Sequence, residues 1–286
     1  MIPFVKEMDF AYGRSDQVSP LIRRVVANNP GPFTYLGTGT YIIGSGEVAV
    51  IDPGPDDPVH LAAILKAIEG ETLTAILITH THIDHSPLAG PLAAQTGAVV
   101  FGLADPARGS AEEDSHGSFV PDISIEEGQI ITGGDWTIEA ILTPGHASKH
   151  VTYALKEENA LFSGDHIMGW STTVVSPPDG DMSAYYASLD KIDARGFFTL
   201  WPTHGPPITE PKPFIAAYRA HRLAREAQIL AYLQKGPARI ADMVPVLYAA
   251  VDARLHPAAA RSVHAHLIHL EKAGAVKRTG EVFSLG

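Results

Sequence analysis

The stretch Thr79-His-Thr-His-Ile-Asp-His85 decides how the chain folds, because it sets three imidazoles and one carboxylate at the end of an apolar run. That run, Leu73-Thr-Ala-Ile-Leu-Ile78, reads as a buried strand. Side chains alternate along a strand, so His80 and His82, two apart, emerge on the same side of its C-terminal end. Asp84 and His85 fall where the chain turns into a helix, with Ser86 as the cap and Pro87 as the first helical residue. A polar loop that happens to be rich in histidine is the competing reading. Four ligand-type side chains at this spacing argue against it.

Two metal ions held through nitrogen and oxygen need about seven ligands, and this stretch supplies only part of the set. Three further candidates follow in order. Ile138 to Leu142 reads as a short strand ending in Thr143-Pro-Gly-His146. Ala160-Leu-Phe-Ser-Gly-Asp165 is another strand-to-turn junction, with a carboxylate at its tip. Phe197-Phe-Thr-Leu-Trp201 runs into Pro202-Thr-His204-Gly-Pro. Each alone reads more readily as a solvated turn residue. Together they repeat one theme: a strand, a turn, then a metal-type side chain.

On these residues the chain resembles the metallo-β-lactamase superfamily, whose motifs are matched in order by Asp52 in Val50-Ile-Asp-Pro-Gly54, by residues 79–85, and by His146, Asp165 and His204. The resemblance runs from about residue 30 to 209. It implies an α/β fold, the αββα sandwich, carrying two divalent metal ions. His80, His82 and His146 would hold one ion, Asp84, His85 and His204 the other, and Asp165 would bridge them. Asp52 would accept hydrogen bonds that brace the ligand loop. Within the superfamily, Asn29-Pro-Gly-Pro-Phe33, Gly164-Asp-His-Ile-Met-Gly-Trp-Ser-Thr-Thr173 and His221-Arg-x-x-Arg-Glu226 resemble the β-lactamase-like protein 2 subgroup. That resemblance implies a C-terminal winged helix. The subgroup includes an RNA-cleaving enzyme, and its fungal relatives are thioesterases acting on carrier-protein-bound acyl chains.

The departures narrow the reading. With no cysteine in the chain, the Cys ligand of some true β-lactamases is absent. The glyoxalase-type Thr-Pro-Gly-His-Thr-x-Gly-His is here Thr143-Pro-Gly-His-Ala-Ser-Lys-His150, with Lys149 in place of Gly, which speaks against a glyoxalase. The extra inserted domain of the long RNA-processing β-CASP type is not readable in the sequence.

On this ligand set the expected chemistry is hydrolysis. Five neutral imidazoles and two carboxylates leave two divalent ions with a net charge of about +2, enough to lower the pKa of a bridging water towards ~7. The resulting hydroxide would attack a carbonyl carbon or a phosphorus, with Asp84 both ligating and orienting it. Zinc is the expected metal, and an all-nitrogen and oxygen set also suits iron or manganese. The preferred substrate is a small ester or acyl thioester. The alternative is RNA, cut by a single-strand endoribonuclease, and a binding protein without turnover is disfavoured because no ligand position is missing.

At 286 residues with 45% hydrophobic content, the chain can build one large core and a smaller one. No run of eighteen apolar residues is present. Lys6, Glu7 and Asp9 interrupt the N-terminal segment. The expectation is a cytoplasmic enzyme with no membrane span. Charge divides the chain: residues 1–209 carry 10 Lys or Arg against 26 Asp or Glu, and residues 210–286 carry 11 against 6. The balances, −16 and +5, mark two bodies with different surfaces, a catalytic domain over 1–209 and a winged-helix-like domain over 210–286.

In the second body, Phe214 to Gln234, Ile240 to Tyr248 and Ala258 to Ala273 read as helices, and Ala275 to Ser284 as a hairpin turning at Thr279-Gly280. A nucleic-acid reading would use Lys277 and Arg278 as wing contacts and Arg254 and Arg261 on phosphates. A module that packs against the active site is the preferred reading, because +5 is modest and the attached acidic domain repels polyanions. His60, His116, His256, His264, His266 and His269 match no motif and read as surface or helix residues. For His150 and His166, support of the ligands or contact with substrate stands level with simple packing. The turn-rich Trp170 to Asp181, followed by Tyr185 and Tyr186, is equally balanced between a cleft lining and a plain loop. The acidic Glu112-Glu-Asp114 reads as a solvated loop.

Overall fold

The computed structural model describes residues 2–104 and 119–286; His116 and the acidic run 112–114 lie outside the described residues. Seven strands form the first sheet in sequence order: β1 (Ser15–Ser19), β2 (Ile22–Val26), β3 (Gly39–Ile43), β4 (Glu47–Ile51), β5 (Thr72–Leu77), β6 (Val99–Gly102) and β7 (Ile123–Ser124). Pairing is antiparallel as far as β4 and parallel from β4 to β7. The second sheet runs through β8 (Ile130–Thr132), β9 (Thr137–Leu142), β10 (Val151–Leu155), β11 (Ala160–Gly164) and β12 (Thr199–Pro202), with only β11 and β12 parallel.

The sheets face each other across one apolar layer. Ala49 and Ile51 of β4 and Ala75 and Leu77 of β5 meet Ile138, Tyr153, Phe162 and Trp201 there. The alternate residues Val48, Val50 and Ile76 point outward onto α1 (Pro58–Ala67) and α2 (Ala89–Thr96). Burial on both faces explains why β4 and β5 read as unbroken apolar runs rather than as alternation. On the outer face of the second sheet, Ile141, Leu161 and Leu200 pack under α3 (Met182–Asp193) and the first turns of α4 (Pro211–Leu233). The layers are therefore helix, sheet, sheet, helix, the expected sandwich.

Beyond α4 come β13 (Ala238–Arg239), α5 (Ile240–Leu247), α6 (His256–Lys272), β14 (Val276–Thr279) and β15 (Val282–Leu285). This is the expected set of helices and hairpin, with β13 added as a short third strand on β15. The hairpin closes over Gly280-Glu281, one residue later than the sequence suggests, because Thr279 already pairs with Val282. The long α4 serves two cores: Phe214, Ile215 and Tyr218 pack with the sandwich, while Ile229 and Leu233 pack with α5, α6 and Phe283.

A second local expectation changes. The helix after the histidine-rich loop begins at Ala89, with Leu88 as its cap, rather than at Ser86-Pro87. Residues 85–88 are instead tied to a neighbouring loop, Gly54 N donating to His85 O at 2.9 Å and Leu88 N to Gly54 O at 3.2 Å. Among the described residues, no helix is long and apolar enough to cross a membrane.

Candidate metal centre

The strand ends bring the seven ligand-type residues to one edge of the sandwich, where the two sheets are laced together. Val151 N donates to Thr79 O at 2.8 Å, and Tyr153 Oη to Ile78 O at 2.8 Å, so β10 is fastened to the exit of β5. Gly39 N donates to Thr203 O at 2.8 Å, fastening β12 to β3. His80 to His85 follow β5, His146 follows β9, Asp165 follows β11 and His204 follows β12.

The ligand-type atoms converge in two groups that meet at Asp165. His80 Nε2 lies 2.9 Å from His82 Nδ1, which lies 3.2 Å from His146 Nε2. Nitrogens around a tetrahedral zinc at ordinary bond lengths are about 3.3 Å apart, so this spacing suits one ion. On the other side His204 Nε2 lies 3.0 Å from Asp84 Oδ2, and His85 Nε2 lies 3.6 Å from the same oxygen. Asp165 reaches both: Oδ2 is 3.8 Å from His146 Nε2 and 3.7 Å from His85 Nε2, and Oδ1 is 3.5 Å from His204 Nε2. His80-His82-His146 and Asp84-His85-His204 each qualify as a group that could hold a metal ion, as does His80-His85-Asp165 across the middle. Among the described residues, His85 Nε2 and Asp165 Oδ1 are buried without a hydrogen-bond partner. Orphaned donors and acceptors of this kind are costly unless something binds them. The residues fit a pair of divalent ions.

Four of the five imidazoles are aimed by a hydrogen bond from Nδ1, which leaves Nε2 as the inward lone pair. His85 Nδ1 donates to Asp52 Oδ2 at 2.8 Å, His146 Nδ1 to Val174 O at 2.6 Å, and His204 Nδ1 to Gly37 O at 3.2 Å. His80 Nδ1 meets Thr79 Oγ1 at 3.0 Å, and that hydroxyl donates to Asp52 Oδ2 at 2.8 Å. His82 is the exception and turns Nδ1 inward.

Asp52 is the hub of this support. Fully buried at the end of β4, it accepts from Thr79 N, Thr79 Oγ1, His85 Nδ1 and Thr203 Oγ1 at 2.8–3.0 Å. Its backbone sits at φ 47°, a conformation that non-glycine residues adopt at a cost, and these four bonds hold it there. Behind it, Thr40 Oγ1 donates to the Asp52 carbonyl at 2.7 Å and meets His60 Nε2 at 2.8 Å. His60 is thus a buried prop of Asp52 rather than a surface residue, and burial pushes its pKa down to about 4. The sequence signal was its place one turn into the helix that follows Asp52.

His150 packs behind Asp165. Its Nε2 accepts from the Asp165 amide at 3.3 Å, and its Nδ1 meets Thr143 Oγ1 at 2.9 Å. Gly164 makes room for the ring: at φ +52°, a Cβ there would stand 2.7 Å from His150 Nε2. His166 is buried with neither ring nitrogen partnered among the described residues, and burial, with His146 and Arg222 nearby, holds its pKa down at about 3. Tyr185 and Tyr186 are core residues of α3. Trp170 stacks on Tyr35 at 4.7 Å.

Electrostatics separate the two groups. Burial, reinforced by neighbouring imidazoles, holds His80 well below the ordinary histidine range and His82 at about 4. Burial opposes charge on His85 as well, yet Asp84, Asp165 and Asp52 hold it well above that range. His204 is raised by Asp165 and Asp84 against the same opposition. Burial works against the Asp84 and Asp165 charges too, but His85 and His204 hold both carboxyls below their usual range.

In the C-terminal unit, Arg254 pairs with Asp252 at 2.7 Å. Arg278 donates to Gly280 O at 2.8 Å and lies over the Phe283 ring, while Lys277 and Arg261 are exposed. His266 is buried rather than on the surface, 3.1 Å from Glu226 Oε1.

Known proteins converge on the same reading. Residues 35–204 match the metallo-beta-lactamase superfamily, and residues 240–284 match the beta-lactamase associated winged helix domain. The chain is 34% identical over 267 residues to a beta-lactamase-like protein 2 homolog of Drosophila melanogaster, covering 89% of both chains. It is 34% identical over 222 residues to an atrochrysone carboxyl ACP thioesterase of Aspergillus chevalieri, covering 77% of this chain and 68% of that longer one. A metallo-beta-lactamase family protein of Thermus thermophilus shares the fold, with a TM-score of 0.78 at 23% identity over 94% of this chain and 100% of the other. With its strand-end histidines and aspartates and its C-terminal winged helix, the chain belongs to the metallo-beta-lactamase superfamily and is a metal-dependent hydrolase of that superfamily.

Proposed function

We propose that the enzyme binds two divalent ions, one on His80, His82 and His146 and one on Asp84, His85 and His204, with Asp165 shared, and hydrolyses an ester or acyl thioester. The carrying observation is the pair of ligand groups meeting at Asp165, whose two oxygens lie 3.5–3.8 Å from imidazoles of both groups. When bound, such ions make a water nucleophilic near neutral pH and stabilise an oxyanion. The chain's own contribution is position. Asp52 and the Val174 and Gly37 carbonyls fix the imidazoles, and Asp165 is held from behind by His150. Asp84, whose side chain keeps 18% exposure, is the more open of the two carboxylates. It is placed to orient the attacking water and to take its proton on the carboxylate oxygen. Zinc suits five imidazoles and two carboxylates, and the same set accepts iron or manganese.

Two observations favour a carbonyl substrate: the strongly acidic residues 1–209 and the relative named an ACP thioesterase. The test is a direct comparison on zinc-reconstituted full-length enzyme, using an acyl-N-acetylcysteamine thioester and a single-stranded RNA oligonucleotide. Thioester turnover with two metals per chain is expected. RNA cleavage without thioester turnover would move the enzyme to the endoribonuclease class, and a reproducible single metal would overturn the binuclear centre.

A further inference from the structure

The motif His221-Arg-x-x-Arg-Glu226 lies in the middle of α4, where the helix passes from one core to the other. Arg222 is buried there, and its guanidinium donates to the carbonyl of Thr173 and lies 5.2 Å from the centre of the Tyr185 ring. Its Nε is buried without a hydrogen-bond partner among the described residues. Burying a guanidinium for a carbonyl bond and a contact with the Tyr185 side chain is a poor way to stabilise a fold, since an apolar side chain of the same size would do as well or better.

What the arginine holds gives it a purpose. Residues 172–175 form no strand, so their carbonyls have no ladder to bond to. Thr173 O takes the Arg222 bond, and the next carbonyl, Val174 O, takes the 2.6 Å bond from His146 Nδ1. One peptide unit therefore separates the bond to α4 from the bond that aims a ligand-type imidazole. The loop is seated further by Thr173 Oγ1 donating to His166 O at 3.0 Å.

A second path reaches the same histidine. Asp181 N donates to Gly145 O at 3.0 Å, and Ser188 Oγ to Pro144 O at 2.8 Å, so α3 grips the turn that carries His146. A Cβ on Gly145 would stand 2.5 Å from Tyr185 Cα, which shows how close that grip is. From the winged helix, Lys272 reaches Asp181 at 2.6 Å, and His269 Nδ1 meets Ser183 Oγ at 2.8 Å. Glu226 accepts from Tyr186 Oη at 2.9 Å and from His266 Nδ1 at 3.1 Å.

We propose that Arg222 is a positioning residue for His146: through the Thr173-Val174 peptide it aims the imidazole at the His80-His82 side, and so couples the winged-helix unit to metal binding. This rests on the reading of His146 as a ligand.

The test uses full-length protein, measuring zinc affinity by competition with a chromophoric chelator and the melting temperature of the metal-free form. Arg222→Met is expected to weaken zinc binding at one site by about 10–100-fold. Metal-free melting should hold or rise, and kcat on a thioester should fall more than KM changes. Arg222→Lys, which keeps a donor and a cation, should fall between wild type and Arg222→Met. Arg219→Met, on the same helix but paired at the surface with Asp190, should bind zinc like wild type. Wild-type zinc affinity in Arg222→Met, whatever its melting temperature, would overturn the inference. If Arg222→Met does not fold, Arg222→Lys decides: wild-type affinity overturns the inference and a several-fold loss supports it. His146→Ala separates the underlying reading, because wild-type affinity in that variant would mean that His146 is not a ligand.

Discussion

The two ligand groups should take up metal with different dependence on pH. Near neutrality His80 and His82, held low by burial and by neighbouring imidazoles, carry no proton for an ion to displace. His85 and His204 are the opposite case: Asp84 and Asp165 raise both above the ordinary histidine value of 6.5, so each holds its proton into the range where His80 and His82 have lost theirs. An ion entering the Asp84-His85-His204 group must expel those protons. Each displaced proton lowers the apparent affinity about tenfold per pH unit below the pKa that governs it. Two protons therefore predict a slope approaching about 100-fold per unit on the acid side for this group, and no comparable contribution from His80 and His82, which are held low. The carboxylates add little to the slope there, because their pKa values lie below the window. Zinc titration calorimetry in buffers of different ionisation enthalpy counts the protons released at each step. One event that releases more protons than the other is expected. Equal release in both events would refute the contrast between the low-held His80 and His82 and the raised His85 and His204.

Further outcomes follow from the same geometry. Asp165→Ala should weaken both metals, whereas His204→Ala should mainly empty one, as read from cobalt-substituted spectra. Asp52→Ala strands the Thr79, His85 and Thr203 donors in a dry site; at about 1–3 kcal/mol for each unsatisfied group, it should lower the melting temperature markedly even without metal. Asp84→Asn should keep the far-ultraviolet circular dichroism of the parent and reduce turnover by about 10²–10⁴-fold. Replacing Lys277, Arg278, Arg254 and Arg261 by Ala should leave thioester turnover near wild type; loss of a strong, salt-sensitive RNA affinity in that variant would instead mark a phosphate-binding module.

The ligand-type residues were legible because each follows an apolar run that reads as a strand. Period-two alternation correctly brought His80 and His82 together, but not the fact that one presents Nε2 and the other Nδ1, which depends on Thr79 capturing the His80 ring. The supporting shell was largely hidden. Val174 lies 28 residues from His146 and Gly37 lies 167 residues from His204, and a backbone carbonyl leaves no trace in side-chain pattern. His60 and His266 looked like ordinary helix residues because their burial comes from tertiary packing. The double allegiance of α4 was equally invisible, since apolar spacing marks a buried face without saying which core buries it.

The charge contrast between the two parts of the chain takes on a different meaning once partners are known. Of the 11 Lys and Arg in residues 210–286, Arg219 pairs with Asp190, Lys272 with Asp181, Arg239 with Asp242 and Arg254 with Asp252. Arg222, Arg225 and Arg278 donate to the carbonyls of Thr173, Leu247 and Gly280. Three of these, Arg219, Arg222 and Lys272, reach across to the sandwich, and two of the three meet carboxylates of α3 or its cap. A nucleic-acid surface needs cations left facing solvent along one line. Here seven of the eleven cations already have partners, two of them carboxylates of the acidic domain whose field would repel RNA. The asymmetry is therefore better explained as complementarity between the two units, with the winged helix seated against the helix that grips the His146 turn, than as the footprint of a polyanion.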